Sequence, residues 1–97
     1  MKWIKTKNKQ FNLDHVTTIS TNILPKQNLI SIDISLDYPI DGNGAFVFRV
    51  YSETCSTYDV SEKTKRFEKI IDSIFDAIEN SKGILINVDK IIENQLH

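Results

Sequence analysis

The sequence predicts an α+β fold: an antiparallel sheet of about five strands packed against one long C-terminal amphipathic helix, with a short tail element after it. Two patterns carry this prediction. Ile30, Ile32, Ile34, Leu36 and Tyr38 alternate with Ser31, Asp33, Ser35 and Asp37, the period of a strand with one apolar and one wet face. Phe67, Ile70, Ile71, Ile74, Phe75 and Ile78 recur at three- and four-residue spacing, the stripe of a helix that covers a sheet. At 97 residues the chain is read as one domain over 1–97, with strands mainly in 1–58, the helix in 59–82 and the tail in 83–97.

The elements follow in order. Trp3 and Ile4 anchor a short first strand, on which Lys5, Lys7 and Lys9 at alternate positions would share a face. A turn near residues 8–10 leads to a second short strand at Phe11 and Leu13. Asn12, Asp14 and His15 form the next turn, where Asx side chains bond the backbone two residues on. Residues 16–24 are rich in Thr, Ile and Ser and read as strand, because β-branched side chains fit the pleat; Pro25 ends it. The alternating strand covers 28–38. Residues 39–44, PIDGNG, are a turn by composition, with Gly42, Asn43 and Gly44 tolerant of positive φ.

The partner strand covers 45–53. Phe46, Phe48 and Val50 fall on one side and Val47, Arg49 and Tyr51 on the other, which predicts a central position. Residues 53–58 extend that strand or leave it. Asp59 with Glu62 makes a capping box for the helix, with Ser61 as a rival cap. Gly83 suits the left-handed position after the helix, with Lys82 at the negative end of the dipole and Ile84 folding back. Ile84, Leu85 and Ile86 read as a last strand. Asn87 or Asp89 would then cap a short helix carrying Ile91, Ile92 and Leu96, with strand–turn–strand as the alternative. The run from Phe11 to Val16 is echoed weakly by the run from Ile86 to Ile91.

Composition narrows the function classes. Apolar residues make up 40% and charged residues 26%, values of a folded domain. A net charge of −1 argues against non-specific nucleic-acid binding and against a charged membrane surface. Cys55 is the lone cysteine, so no internal disulfide points to an oxidising compartment. No apolar run reaches the roughly 20 residues of a membrane span, and no apolar stretch follows the N-terminal lysines as in a secretory signal. A cytoplasmic protein is expected. Abundant Ile and Asn, scarce Ala and a large excess of Lys over Arg favour AT-rich codons, those of a low-GC bacterium or its mobile DNA.

Candidate chemistry is thin. Asp41-Gly42-Asn43-Gly44 matches the middle of a calcium loop, but the alignment puts Pro39 at the first ligand position and Val50 at the last, where a bidentate Glu is needed; a hairpin turn is the reading preferred. Asp33, Ser35 and Asp37 on the wet face, with Arg49 opposite, form a binding surface or, with a group from another strand, an acid/base pair. His15 beside Asp14 reads as a surface turn histidine. Cys55 has no local base or positive field, and one Cys with two His is too few for zinc. No phosphate loop or dinucleotide fingerprint occurs, so no cofactor is expected. Lys5, Lys7 and Lys9, together with Lys2 and flanked by Trp3 and Phe11, make a small basic patch that guards an edge strand or stacks single-stranded nucleic acid, the first being favoured.

Trp3-Ile4-Lys5-Thr6 followed by Asn12-Leu13-Asp14-His15-Val16 resembles the opening of a group of short, mostly uncharacterised bacterial and phage proteins. The resemblance implies a curved sheet closed by a C-terminal helix, similar to a pleckstrin-homology-like barrel, and no catalytic residues. The tail after Gly83 departs from that plan, which keeps an open sheet as the alternative. The functional expectation is a non-catalytic binding protein whose partner is a protein, either a second copy in a homodimer or another chain. The alternatives are a small phage-type inhibitor or regulator masking a host protein, and a minor enzyme using Asp33 or Asp37.

Overall fold

A computed structural model describes residues 2–39 and 46–96. The chain runs β1 (Trp3–Thr6), β2 (Lys9–Asn12), a 3-10 turn (Leu13–His15), β3 (Val16–Leu24), a second 3-10 turn (Pro25–Gln27), β4 (Leu29–Leu36), β5 (Val47–Thr54), α1 (Val60–Asn80), β6 (Leu85–Asn87) and α2 (Val88–Leu96). The class is α+β, as expected, but the strands form two sheets of three, ordered β2-β1-β6 and β3-β4-β5. Among the described residues no ladder joins the two sheets, so the barrel implied by the N-terminal resemblance does not close. There are six described strands rather than about five, and the tail adds a second α-helix. The predicted turn at 39–44 lies almost wholly outside the described residues.

In the larger sheet β4 takes the centre. It pairs antiparallel with β3 from Val16↔Leu36 to Leu24↔Leu29, and with β5 from Leu29↔Thr54 to Ser35↔Val47. The expected central place for the 45–53 strand is therefore corrected: β5 is an edge. A bulge explains the misreading. The register shifts between Ile32↔Tyr51 and Asp33↔Arg49, which leaves Val50 as the extra residue. One added residue reverses the alternation, so Phe48 and Tyr51 lie on the same side as Ile34 and Ile32.

The two apolar rows meet. Ile30, Ile32 and Ile34 are fully buried, as are Phe67, Ile70 and Ile74 of α1, and all belong to one cluster. Each such side chain contributes roughly 1.5–3 kcal/mol on burial, before entropy is subtracted. The stripe is narrower than expected, because Phe75 is 44% exposed. Tyr38 leaves the Ile row, since β4 stops at Leu36. Ile4 and Phe11 of the smaller sheet, Ile86 of β6 and Val88 and Ile92 of α2 complete the core.

The smaller sheet joins the two ends of the chain. β1 pairs antiparallel with β2 and parallel with β6, which places Ile4 between Phe11 and Ile86. The hairpin turn is Lys7-Asn8, one position earlier than expected, with Lys7 at φ 53°. Asn12 accepts from the Asp14 amide at 2.9 Å, the expected Asx turn. Asn87 caps α2, accepting from the Lys90 amide at 3.1 Å, so the strand-then-helix reading of the tail holds with Asn87 as the cap.

The ends of α1 depart from the sequence reading. Asp59 occupies the cap position but makes no capping bond. Its carboxylate turns back to accept from the Ser56 amide at 2.7 Å, so the capping box with Glu62 does not form. Ser81, in extended conformation, ends the helix, and Gly83 is not left-handed. Ile84 is 71% exposed rather than folded back. The orphan carbonyls are met from far along the chain: the Lys2 ammonium donates to Ile78 O and, at 3.0 Å, to Ser81 O. That cation at the negative end of the helix dipole does what was expected of Lys82.

Candidate functional site

The face of the larger sheet turned away from α1 is built from Thr18, Ser20 and Asn22 of β3, Ser31, Asp33 and Ser35 of β4, and Arg49 and Ser52 of β5. It follows from the period of the strands, since each of these alternates with a residue of the core face. The expectation that Asp33 is wet is corrected. Asp33 is 4% exposed and Ser31 fully buried, although α1 packs on the opposite face. The reason is that short side chains on the central strand are shaded by longer ones beside them. Asn22 donates to Asp33 at 2.7 Å, Ser31 at 3.2 Å, and Arg49 Nε at 3.3 Å. One carboxylate thus ties all three strands. A buried carboxylate needs such partners, because its desolvation is otherwise uncompensated.

Asp37 does not share that site. It lies past the end of β4, about 13 Å along the chain from Asp33 at strand rise, with Ser35 between them on the polar face. His15 Nδ1 stands 3.1 Å and 3.3 Å from its two carboxylate oxygens, and the His15 ring meets Tyr38 edge-on at 5.4 Å. His15 therefore pairs with Asp37 and not with its neighbour Asp14. Only a β3–β4 pairing that brings position 15 beside 37 makes this contact, so adjacency in sequence did not reveal it.

The basic patch is dispersed. Lys5 lies in β1, Lys7 in the hairpin turn and Lys9 in β2, where Lys9 pairs with Thr6 and so falls on the side opposite Lys5. Lys7 Nζ donates to the Arg49 carbonyl at 3.4 Å and lies 5.8 Å above the Phe48 ring. Phe11 is buried against Phe48 at 5.3 Å and is closed to stacking with a base. Trp3 lines a hollow of about 290 Å³ with Gln10, Ile84 and Leu85.

A second polar cluster, missed in the sequence, joins β5 to α1. Glu53 accepts from Arg66 and from Tyr51 Oη at 2.6 Å, and lies 3.6 Å from Lys63, which also approaches Asp59 at 3.6 Å. Burial, with the Glu53 hydrogen bond and charge behind it, pushes the Tyr51 phenol up to about 12. The Ser56 amide holds the Asp59 carboxyl below the usual range. Cys55 is buried, and burial followed by the nearby Asp59 charge pushes its thiol up, the reverse of an activated nucleophile. Among the described residues no group of three His, Cys, Asp or Glu side chains is placed to hold a metal ion, and no helix is long and apolar enough to cross a membrane.

The remaining feature is an edge. β3 is nine residues long, and among the described residues no strand pairs with its outer side. It carries no charge and no proline (VTTISTNIL). Ile23 on it is 46% exposed, and the buried Thr21 hydroxyl has no hydrogen-bond partner. Comparison with family models, with curated proteins and with solved structures returned no match.

Proposed function

We propose that this chain is a non-catalytic protein-interaction protein whose partner adds a strand to the outer edge of β3. The observation that carries this is the unpaired, uncharged edge of β3. A row of free amides and carbonyls is a template for another strand, and folded proteins ordinarily blunt such edges with charge, proline or a cover. The state of the titratable groups supports the non-catalytic part. Asp33 is taken up by three neighbours, Asp37 by His15, and the Cys55 thiol is pushed up and buried. The polar face beside the edge supplies the hydroxyl and amide groups of Thr18, Ser20 and Asn22 for side-chain selection by an added strand.

The test is affinity capture from lysate with the full chain and with the double variant Thr18→Lys/Leu24→Lys. Neither side chain holds Asp33 or belongs to the core cluster, so the fold tolerates the change, as circular dichroism checks. Proteins held by the unaltered chain and released by the variant support the reading. An identical captured set overturns it, as does an empty one from a chain that also stays monomeric in solution.

A further inference from the structure

The occupant of the β3 edge has a definite chemistry. We infer that it is a second copy of this chain, paired antiparallel through β3 about a two-fold axis at Thr21; this rests on the edge-binding reading above. Three observations point to it. The strand is uncharged along all nine residues, so a copy meets no like charge opposite itself. An axis at Thr21 sets Ile19 against Ile23 of the second copy, and the half-exposed Ile23 against Ile19, so apolar meets apolar on the α1 side. The same axis brings the two Thr21 side chains together, and the Thr21 hydroxyl, buried without a partner in the single chain, gains one when it turns about χ1 toward the copy. Cross-strand threonine pairs hydrogen-bond in this arrangement.

On the other face the axis places Ser20 opposite Asn22 of the copy, a neutral polar pair. Thr18 meets Leu24, short of the irregularity between Val16 and Thr18. The result is one six-stranded sheet, β5-β4-β3-β3-β4-β5, with an α1 on each half. The contact is isologous and closes on itself. A seven-residue strand pair is smaller than the roughly 1,600 Å² of a standard interface, so the dimer is weak and its mass depends on concentration.

Sedimentation velocity of the full chain from about 10 µM to 1 mM reads the association. The expected result is a monomer passing to a dimer across that range. Thr18→Lys/Leu24→Lys places ammonium groups opposite one another across the axis, away from Asp33, and holds the protein monomeric. Thr18→Glu/Leu24→Glu does the same alone, but an equimolar mixture of the two variants re-forms a dimer, which a merely unfolded variant cannot do. Thr21→Cys in a Cys55→Ser background oxidises to a covalent dimer, whereas Tyr58→Cys in that background, at a side chain 99% exposed, does not. A chain still monomeric at the highest concentration, together with no Thr21→Cys cross-link, overturns the self-pairing. Edge-dependent capture of a different protein in the lysate experiment would then leave the broader reading standing. A dimer unaffected by the lysine pair also overturns the inference, by placing the contact elsewhere.

Discussion

β3 and β5 flank the same central strand, and their outer sides are finished differently. β5 is bent by the bulge at Val50, carries Arg49 and Glu53, and is touched by Lys7 at the Arg49 carbonyl. Glu53 also binds it to α1 through Arg66 and Lys63. Bulges, charges and lysines are the devices that stop an edge from pairing. β3 has none of these between Thr18 and Leu24; its one irregularity lies at its start. Among the described residues the larger sheet is thus protected at one edge and not at the other, and the unprotected edge is the one to which the proposed partner strand is added.

The comparison can be broken at its shared strand. Ile34→Ala is expected to cost about 2–5 kcal/mol in urea unfolding, because the side chain is fully buried and its loss leaves a cavity beneath both edges. A loss under about 1 kcal/mol would mean that the β4 row is not the centre of the core. Asp33→Ala comes next, at about 1–3 kcal/mol, because the side chains of Asn22 and Arg49 both reach that carboxylate from opposite edges. Amide exchange should quicken on β3 and β5 together; quickening on one alone would show that the carboxylate serves only that side.

The asymmetry can also be erased. The Asp89 carboxylate accepts from the buried Thr6 hydroxyl at 2.7 Å and from the Lys7 amide, so it holds the hairpin turn to the start of α2. Asp89→Ala is expected to cost about 1–2 kcal/mol and to free Lys7 from the Arg49 carbonyl. Faster exchange at Lys7 and around Phe48 checks it, and an unchanged Lys7 amide would show that the hairpin is held by other contacts. The smallest effect concerns pH. The Tyr51 phenol is raised from 10.0 to about 12 in the folded chain. The unfolded chain therefore loses that proton first, so the Tyr51 contribution is whole below pH 10 and is lost as pH rises toward 12. Tyr51→Phe should differ from the parent by under about 1 kcal/mol at pH 7 and should lack that share of the alkaline loss. Equal slopes of stability against pH in the two proteins would contradict the assignment.

How far the sequence could be read depended on how local each contact is. The β4 row and the α1 stripe were legible because their period is set by neighbours two, three or four residues away. The bulge at Val50 was not, since nothing in the run from Val47 to Tyr51 marks an extra residue until β4 is laid beside it. Asp33 read as wet because alternation assigns a face but not the height of the adjacent side chains. His15 read as a surface turn histidine and is exposed, but the carboxylate it meets lies 22 residues away and has no mark in the local sequence. The weak echo between the Phe11 and Ile86 segments acquires a local meaning: both flank Ile4, and the Asn that follows each, Asn12 and Asn87, caps the turn or helix after it. One strand is antiparallel to β1 and the other parallel, so the likeness is of a strand-end device and not of a repeated unit.

By itself the sequence determined the α+β class, the alternating strand and the long helix, since each is written in a short-range pattern of apolar residues; it left the tail open between strand-then-helix and strand–turn–strand, and it put the wrong strand at the centre of the sheet. Tertiary structure alone decided that the sheet is two sheets, that Lys2 caps the far end of α1, that Asp33 is enclosed and that, among the described residues, no strand pairs with the outer edge of β3. Those outcomes depend on which distant segments lie side by side, and a one-dimensional pattern of side chains does not encode the neighbour that satisfies or shields each group.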